Sequence, residues 1–507
     1  MISMSDQQHY DLFIIGGGIN GAGIAADASG RGLSVALCEQ GDLASATSSW
    51  SSKLIHGGLR YLENFEFRLV KEALREREVL LKSAPHLIHP LRITLPHNKH
   101  CRPRWMIRAG LFLYDHLDRK QTLPKSTTLR IQDAESEPLK PMSKVAYQYS
   151  DGAVDDSRLV VANAQMAQQQ GADIFTRHRV LKAERHHDLW HITVKDRRYQ
   201  TEKTLHAKAI VNAAGPWVDE VIGQRLAVET QHHVRLIKGS HLVVPKFYDG
   251  DHGYILQHSD KRIVFVLPFQ TDFALIGTTD VPYQGDPAKV AISADEQDYL
   301  LDIVNHYFKH TLTPDDVTWS FSGVRPLQED KHGDPSKVTR DYTFEVDDQQ
   351  GKLPVLSIFG GKITTYRKLA EHALERLNVY FPEMGPAWTA GATLPGGDIQ
   401  NYDAFCQQQA KRFAWLPKSM LTRLCKAYGT RIADVIKEAQ SIEDLGVHFG
   451  GTLYEQEVRF LIEHEWAQKA ADIVWRRSKQ GLHMRTSQIQ QLHLWLKAEG
   501  FLPDTQP

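Results

Sequence analysis

Three glycines and one acidic residue stand at the spacing of a dinucleotide-binding turn. Gly16, Gly18 and Gly21 form the pattern G-x-G-x-x-G, and Glu39 lies 18 positions after the last of them. In such a turn the first glycine permits a tight bend, the second lets the backbone approach a pyrophosphate, and the third lets a helix pack on a strand. An acid about 20 residues further on binds a ribose hydroxyl. The spacing predicts dinucleotide binding; an ordinary tight turn is the alternative.

A second stretch combines hydroxyl groups, glycines and cations. Residues 42–53 are rich in Ser, and residues 54–61 read Leu-Ile-His-Gly-Gly-Leu-Arg-Tyr. Small hydroxyl side chains and paired glycines let a backbone run along a flat or phosphorylated ligand. A solvated linker would also be rich in Ser, but it would not normally end in apolar anchors mixed with His56 and Arg60. The stretch therefore favours ligand binding.

The elements around the glycines are those of a parallel βαβ unit. Residues 12–15 form an apolar run that suits a strand buried on both faces, residues 22–31 are helix-like, and residues 33–38 read as the next strand. The N-terminus of such a helix presents N–H groups and a positive dipole end to a phosphate. A nicotinamide enzyme is conceivable from this unit alone. The Ser-rich stretch and the distant Gly215 and Gly361 favour the larger FAD.

Several further motifs make the prediction more specific. They are Gly-Gly-Gly-Ile-Asn-Gly at 16–21, Ser-Ser-Lys-Leu-Ile-His-Gly-Gly-Leu-Arg-Tyr-Leu at 51–62, Asn-Ala-Ala-Gly-Pro-Trp at 212–217, Ile-Lys-Gly-Ser-His at 237–241, Ile-Gly-Thr-Thr-Asp at 276–280, Ser-Gly-Val-Arg-Pro at 322–326 and Phe-Gly-Gly-Lys-Ile-Thr-Thr-Tyr-Arg at 359–367. In these motifs and their order the chain resembles the FAD-dependent glycerol-3-phosphate dehydrogenases over its whole length. The similarity is closest to the bacterial aerobic, quinone-linked members.

The resemblance implies an α/β, Rossmann-like FAD-binding fold, an interleaved and mostly antiparallel β cap domain for the substrate, and a C-terminal all-α domain. We assign 1–85, 145–225 and 326–386 to the FAD-binding domain, 86–144 and 226–325 to the cap domain, and 387–507 to the C-terminal domain. Helical periodicity supports the last assignment, and we expect Trp466, Trp475 and Trp495 to form part of its core.

The resemblance also implies which residues contact FAD. They are Gly16, Gly18, Asn20, Gly21, Glu39, Ser48, Ser49, Ser52, Lys53, Leu54, His56, Gly57, Gly58, Val180, Ala214, Gly215, Gly361, Lys362, Ile363 and Thr364. The backbone of Val180 would contact the adenine. A helix beginning near Thr364 would face the flavin and stabilise negative charge on the reduced ring. No histidine pair has the spacing of a metal site, so no metal is expected.

Oxidation of an alcohol by a flavin needs a base, and a phosphorylated substrate needs cations. Of 25 histidines, His56 and His241 lie inside the motifs. We choose His241 as the base, with His56 as the alternative, and expect Arg325 and Lys362 to assist. The expected substrate contacts are Arg60, Tyr61, Tyr254, Thr279, Arg325, Arg340 and Lys362. A surface ion pair is the alternative for Arg340.

The implied reaction converts sn-glycerol 3-phosphate to dihydroxyacetone phosphate. A hydride passes from C2 to the flavin, and the electrons then pass to a quinone. One alternative is an oxidase that reduces oxygen. A second is an amino-acid oxidase, which would need a carboxylate clamp and no phosphate site. A third is a flavin-binding assembly factor without turnover.

Composition and net charge limit the kinds of partner and the cellular compartment that we expect. The formal net charge is −1, so no global field favours nucleic acid. Cysteines at 38, 101, 406 and 425 form no CxxC pair, which fits a reducing cytoplasm. No signal peptide is evident, and no apolar run reaches the roughly 18 residues of a spanning helix. We expect a cytoplasmic homodimer.

Residues 97–119 combine cations with large apolar side chains. Arg102, Arg104 and Arg108 border Trp105 and Phe112. A basic, aromatic amphipathic helix can lie in a membrane interface. A helix packing on its own cap domain is the alternative. Because members of the family bind the membrane peripherally, we expect association with the inner face of the cytoplasmic membrane.

Overall fold

The computed structural model of the chain describes residues 9–98, 101–118, 121–130, 133–141, 145–257, 262–328 and 341–502. Arg340 lies outside these ranges. Within them the chain forms two large sheets followed by a cluster of helices.

The strands are, in chain order, β1 His9–Ile15, β2 Val35–Glu39, β3 Leu54–Ile55, β4 Ile88–Pro96, β5 Thr127–Arg130, β6 Val145–Val154, β7 Asp173–Thr176, β8 His178–His186, β9 Leu189–Asp196, β10 Glu202–Asn212, β11 Val234–Pro245, β12 Gly253–Gln257, β13 Ile263–Phe269, β14 Phe273–Gly277, β15 Val281–Pro282, β16 Trp319–Gln328, β17 Thr343–Gln349, β18 Lys352–Phe359, β19 His448–Gly450 and β20 Leu453–Tyr454.

The α-helices are α1 Ile19–Gly30, α2 Phe67–Ser83, α3 Arg104–His116, α4 Asp156–Gln169, α5 Val218–Val221, α6 Ala294–Tyr307, α7 Tyr366–Leu377, α8 Tyr402–Arg412, α9 Lys418–Tyr428, α10 Ile432–Ile436, α11 Glu455–Glu465 and α12 Thr486–Ala498.

The first sheet is the α/β layer predicted from the glycine motif. Its strands run β17–β18–β10–β1–β2–β7, and the β8–β9 hairpin extends from β10. β1 pairs in parallel with both β10 and β2. Leu12 and Ile14 pack with the helices α1, α4 and α7, whereas Phe13 packs with residues of the β8–β9 hairpin. Burial on both faces explains why this strand lacks polar alternation. The expected fold class is confirmed.

The second sheet is mostly antiparallel and forms the cap. Its order is β15–β11–β14–β13–β12–β4–β6–β3, with β16 also beside β11 and β5 beside β6. Side chains of β11 alternate between the two faces. Leu242 and Val244 lie in the core that α6 covers, whereas Val243 lies in the opposite core. His241 lies on the same face of β11 as Val243. Because α6 covers the opposite face, the His241 face is open to the nucleotide-binding part of the chain.

The cap sheet includes strands that we had placed elsewhere. β6 pairs with the whole of β4, although residues 145–225 were assigned to the FAD-binding domain. β3, from the expected segment 1–85, also joins this sheet, and β16 continues past residue 325. Each of these strands pairs with a segment distant in sequence, so local patterns alone do not reveal its sheet.

The C-terminal part is helical except for one hairpin. Helical periodicity in the sequence predicts helices over 419–428, 432–439, 455–465, 467–477 and 486–498. Those over 455–465 and 486–498 coincide with α11 and α12. α8 was not predicted, and the expected helix over 467–477 is a π-helix at Asp472–Arg477. β19 and β20 pair in a short antiparallel hairpin, which departs from the all-α expectation.

The three C-terminal tryptophans do not share one core. Trp495 packs within the C-terminal cluster. Trp466 packs against the core of the first sheet, and Trp475 packs against both the C-terminal and the cap clusters. The prediction that all three form part of the C-terminal core therefore holds for Trp495 and Trp475 and is wrong for Trp466, because the C-terminal part docks on the first sheet at that residue.

Candidate active site

The glycine turn joins β1 to α1 and lies against the turn after β10. Gly16 has a φ of +114°, and a Cβ there would lie 2.5 Å from the carbonyl oxygen of Ala213. A Cβ at Gly21 would overlap the carbonyl oxygen of Gly16. Glycine is required at both positions because of the left-handed backbone at one and the close approach at the other. The turn therefore presents the N-terminus of α1 beside the residues that follow β10.

Two predicted side chains line this turn. Ser48 Oγ accepts a hydrogen bond from the N–H of Ile19 at 3.0 Å. The Glu39 carboxylate accepts hydrogen bonds from the N–H groups of Gly17 at 2.7 Å and Gly41 at 2.6 Å. Burial raises the pKa of Glu39, and the two N–H groups oppose this shift. These contacts hold the Ser-rich stretch and the end of β2 where a pyrophosphate and a ribose are expected.

The turn after β18 meets α1 and the His-Gly-Gly segment. Asn20 Nδ2 donates to the carbonyl of Gly360 at 3.3 Å, and a Cβ at Gly361 would lie 2.8 Å from the same nitrogen. Asn20 Oδ1 is buried and lacks a hydrogen-bond partner among the described residues. Thr364 Oγ1 accepts from the N–H of His56 at 3.2 Å. Three segments that are distant in sequence therefore meet here.

A buried network supports the His-Gly-Gly segment from behind. The N–H of Gly57 donates to the Tyr114 hydroxyl at 2.8 Å, and that hydroxyl donates to Asp151 Oδ1 at 2.6 Å. Arg77, which is fully buried, donates to the same carboxylate oxygen at 3.0 Å. We did not predict Tyr114, Asp151 or Arg77, because each lies outside the motifs and only tertiary contacts bring them together.

His241 is buried on the inner face of β11. Its Nε2 lies 3.0 Å from Ser52 Oγ, and its ring stacks on Phe321 with 4.8 Å between centroids. Its Nδ1 has no hydrogen-bond partner in the described part of the chain. Burial lowers the pKa of His241 well below its ordinary value, and the cations of Lys53 and Arg325 lower it further. The imidazole is therefore neutral at pH 7, the form that accepts a proton.

Two predicted cations lie beside Tyr61. Lys362 Nζ lies 4.1 Å from the centroid of the Tyr61 ring, and Arg60 precedes Tyr61 in a 3-10 turn. A Cβ at Gly58, which has a φ of +73°, would overlap the Tyr61 ring, so glycine allows the ring to fold back. Arg60 and Lys362 are half-buried, and neither forms an ion pair within the described ranges.

Arg325 and Thr279 have other partners. Arg325 donates to Asp280 at 2.7 Å and to the carbonyl of Thr279 at 3.0 Å. The Thr279 hydroxyl donates to Glu296 on α6 at 2.7 Å. Thr279 is buried with its hydroxyl turned to α6, so this geometry does not support the predicted substrate contact of Thr279, which stays a prediction. Its carbonyl instead orients Arg325.

Tyr254 faces away from His241. Its buried ring packs against Tyr248 and Phe308, and its hydroxyl donates to the carbonyl of Glu135 at 2.8 Å. The next residue, Ile255, belongs to the core on the His241 face. Adjacent residues of a strand point to opposite faces, so this geometry does not support the predicted substrate contact of Tyr254, which stays a prediction.

The Lys53 side chain is buried and forms an internal ion pair. Its Nζ donates to both carboxylate oxygens of Asp156, at 2.8 and 2.9 Å, and to the carbonyl of Ser49 at 2.9 Å. The buried ammonium group therefore fixes the Ser-rich stretch to the start of α4, and its charge is neutralised by Asp156. The expected contact between the Lys53 side chain and the cofactor is not supported by this arrangement.

The remaining predicted cofactor positions are mainly backbone sites. Val180 lies in the core beneath the β8–β9 hairpin, and Leu54 lies in the cap core. Ala214 and Gly215 follow β10, and Ile363 begins a 3-10 turn before α7. Their contacts with the cofactor stay predictions.

Two sequence-family models match the chain. A model described as "FAD dependent oxidoreductase" matches residues 11–367. A model described as "C-terminal domain of alpha-glycerophosphate oxidase" matches residues 387–492. The first match spans both sheets, the glycine turn and the turn after β18.

Similar proteins cover almost the whole chain. A glycerol-3-phosphate dehydrogenase of Pseudomonas aeruginosa is 54% identical over 97% of this chain and 95% of its own length. A D-erythritol 1-phosphate dehydrogenase of Brucella abortus is 50% identical over 95% of this chain and 96% of its own length. The crystal structure of the glycerol-3-phosphate dehydrogenase from Bacillus halodurans complexed with FAD superposes with a TM-score of 0.77 and 28% identity, covering 98% of this chain and 92% of that one.

Proposed function

Because this chain belongs to the family of FAD-dependent oxidoreductases, with FAD as its cofactor, we propose that it oxidises sn-glycerol 3-phosphate at C2 to dihydroxyacetone phosphate. The Pseudomonas aeruginosa relative, which matches nearly the full length of the chain, supports this substrate. We also propose a quinone as the electron acceptor.

The observation that carries the substrate class is the pair of half-buried cations at Arg60 and Lys362. A cation that is partly removed from water gains stability when an anion binds beside it. The guanidinium group of Arg60 matches two phosphate oxygens, and the ammonium group of Lys362 supplies a second point charge. Lys362 lies over the ring of Tyr61, the residue that follows Arg60 in the chain. Arg340 stays a predicted third contact.

The residues around the glycine turn fit a flavin dinucleotide. The turn has the close backbone contacts that a pyrophosphate site needs, and the buried Asn20 Oδ1 is available for a ligand. Glycines at 16, 18 and 21, with Ser48 and Glu39, would hold the pyrophosphate and ribose. Thr364 and His56 would hold the ring. When bound, FAD accepts the hydride that leaves the substrate.

The chain itself supplies position and proton removal. We assign the unpartnered Nδ1 of His241 as the atom that takes the proton of the C2 hydroxyl, while Ser52 on Nε2 fixes the ring orientation. The nearby cation of Arg325 favours the alkoxide that forms. Arg60 and Lys362 fix the distance between this oxygen and the phosphate.

An anaerobic titration of the purified yellow holoenzyme with glycerol 3-phosphate tests the reaction. We expect the visible absorbance of the flavin to bleach, and dihydroxyacetone phosphate to form in equal amount. Glycerol without phosphate, at the same concentration, should bleach the flavin far more slowly. No bleaching by glycerol 3-phosphate would overturn the proposal. Steady-state rates with a quinone analogue and with dissolved oxygen distinguish a dehydrogenase from an oxidase.

A longer polyol phosphate is a second candidate substrate. The Brucella abortus relative carries the name D-erythritol 1-phosphate dehydrogenase and covers this chain as fully as the Pseudomonas protein does. Parallel bleaching experiments with erythritol 1-phosphate measure the preference. A kcat/KM for erythritol 1-phosphate above that for glycerol 3-phosphate would replace the first substrate with the second.

We propose that an exposed apolar patch near α3 contacts the membrane surface. Trp105 is 70% exposed and Phe112 63% exposed, and Phe65 and Phe67 lie on the neighbouring turn. Arg102 bridges to that turn through Glu63 at 3.4 Å. Exposed aromatic groups bordered by arginines suit an anionic lipid interface. No helix in the described ranges has the length and apolar character to span a membrane.

Co-sedimentation with vesicles that contain anionic phospholipid tests this contact. We expect Trp105→Ser with Phe112→Ser to reduce the bound fraction severalfold, because both changes remove exposed apolar surface. Tyr199→Ser is the matched control, because Tyr199 is 64% exposed on another part of the surface. Equal binding by the double variant and the wild type would rule out the patch. A homodimer and a cytoplasmic location stay predictions.

A further inference from the structure

One segment of the C-terminal domain lies against both other domains. We call residues 472–482 the docking segment. Arg477 donates to both oxygens of Asp42, at 2.9 and 2.8 Å, at the end of the β2 region. The indole of Trp475 stacks on Trp319 of the cap sheet, with 4.8 Å between centroids and 15° between planes. Leu482 belongs to the cap core.

A continuous series of ring contacts leads from Trp475 to His241. Trp319 lies 5.1 Å from Phe321, which is two residues further along β16, and Phe321 stacks on His241 at 4.8 Å and 19°. Phe321 and His241 are also directly paired between β16 and β11. Trp50 packs against this series from the side, with 5.2 Å between the centroids of its ring and that of Phe321. The orientation of the His241 ring therefore depends on a stack that ends in the C-terminal domain.

The docking segment reaches the other edge of His241 through polar groups. Lys479 Nζ donates to Asp155, the N-cap of α4, and to Ser157 Oγ at 2.6 Å. Asp156, between these two residues, holds Lys53 at 2.8 Å. Lys53 directly follows the serine whose hydroxyl contacts His241 Nε2. One short segment thus supports the imidazole from its face and from its edge.

We propose that Trp475 is a positioning residue of the oxidation reaction, which holds Phe321 and thereby the His241 ring in the orientation that proton removal requires. The inference rests on the function proposed above. Gly481 makes room for the indole, since a Cβ there would lie 2.7 Å from the Trp475 ring. If the indole is removed, Trp319 and Phe321 lose the ring that packs behind them. The imidazole of His241 can then tilt, and water can reach it.

The test compares variants of the full-length holoenzyme. For Trp475→Ala we expect kcat with glycerol 3-phosphate to fall about 10- to 100-fold, because a small misplacement of a reacting group costs this much. KM and FAD content should stay within about twofold, because Arg60, Lys362 and the glycine turn are untouched. Trp475→Phe should restore most of kcat. Trp475→Leu keeps an apolar side chain larger than that of Ala but has no flat ring, so kcat should stay low. This variant replaces Trp475→Ala if the Ala variant does not fold.

Trp495→Ala is the matched control. Trp495 contacts Phe449, Phe501 and Arg459, all within the C-terminal domain. We expect this variant to lose thermal stability comparably while kcat stays within about twofold. An equal loss of kcat in both variants, or an unchanged kcat in Trp475→Ala, would overturn the proposal.

A titration of the His241 ring by NMR of histidine-labelled holoenzyme gives a readout that does not need turnover. The signal is assigned with His241→Asn. The groups facing His241 are the cations of Lys53 and Arg325, which are paired with Asp156 and Asp280, and the neutral Ser52.

In Trp475→Ala, water that reaches the imidazole should move its titration to higher pH, towards the ordinary value of about 6.5. The acid limb of kcat/KM should move in the same direction, because the base works only when neutral. An unchanged titration would overturn the positioning role. Failure of wild-type bleaching by glycerol 3-phosphate would overturn the proposed function instead, and the histidine titration would still decide the role of Trp475.

Discussion

The cations at the domain junction and the cations at the candidate substrate site have opposite surroundings. At the junction every arginine faces a carboxylate. Arg477 binds Asp42, and Arg158 binds Glu465 at 2.5 Å, with all four side chains nearly inaccessible to solvent. At the site, Arg60 and Lys362 are half-buried and form no ion pair within the described ranges.

This difference distinguishes charged side chains that stabilise the fold from charged side chains that are available to bind a ligand. Burial of a charge is costly unless a partner of opposite sign lies beside it. Where the chain supplies that partner, the pair holds two domains in register. Where the chain leaves the partner out, a ligand can supply it. The position of an arginine inside a motif is therefore less informative than the presence or absence of a carboxylate next to it.

The largest effect should come from breaking a junction pair. Arg477→Met leaves the buried Asp42 with only part of its compensation, so we expect the free energy of unfolding to fall by about 3–5 kcal/mol. Urea unfolding of the holoenzyme, followed by circular dichroism and flavin fluorescence, measures it. KM for glycerol 3-phosphate should be unaltered. A loss below about 1 kcal/mol would show that the junction pairs are not structural.

A smaller effect, on substrate binding instead of stability, should follow from Lys362→Met. Loss of a charged contact to phosphate should raise KM about 10- to 100-fold, corresponding to about 1.5–3 kcal/mol. The free energy of unfolding should not fall, because the lysine leaves no carboxylate unpaired among the residues that the structure describes. Steady-state kinetics and urea unfolding on the same preparation give both quantities. A destabilised variant with an unchanged KM would place Lys362 among the structural cations.

Arg325 combines features of both kinds of cation, because it lies near His241 and also pairs with Asp280. Asp280→Asn tests whether its charge acts on His241. Removing this carboxylate leaves more of the Arg325 charge acting on His241, so the pKa of His241 should fall further. Because the base is active when neutral, the acid limb of kcat/KM should move to lower pH, by up to about one unit. Asp188→Asn is the control, since Asp188 pairs with Lys352 on the surface. A shift to higher pH would contradict this electrostatic account.

The smallest effect should come from an exposed pair. Arg68 is 74% exposed and lies 2.9 Å from Asp341. Because exposed pairs contribute little, Arg68→Ala should change the free energy of unfolding by less than about 1 kcal/mol and leave KM within twofold. A loss as large as that of Arg477→Met would remove burial as the distinguishing factor.

The glycine turn illustrates what could be predicted from the sequence. Gly16, Gly21 and Glu39 lie in one continuous βαβ unit, so their separation along the chain sets their separation in space. The apolar run of β1 and the helix-like period of α1 follow from the same local physics. The types of β1, α1 and β2 were therefore predictable, and their bounds shifted by only a few residues.

The cap sheet illustrates what could not be predicted. Tyr254 and Ile255 are adjacent, and a choice between them depends on which face of the sheet α6 covers. Thr279 lies within a family motif, yet its hydroxyl binds Glu296 of that same helix. In both cases a motif identifies a segment, whereas the register of a strand decides which side chain points to which face of the sheet.

By itself, the sequence determined the nucleotide turn, the α/β class, the resemblance to a flavoprotein family and the segments from which the site is built. The turn and its βαβ unit depend on spacing and periodicity within about thirty residues, whereas the resemblance rests on short motifs and their order along the chain. Only the tertiary structure decided that Tyr114 supports Gly57, that Arg60 and Lys362 have no carboxylate partner among the described residues while Arg477 has one, and that Trp475 stands behind His241. Those relations join residues that are 57 to 435 positions apart, and their energies depend on burial and distance, which no local pattern records.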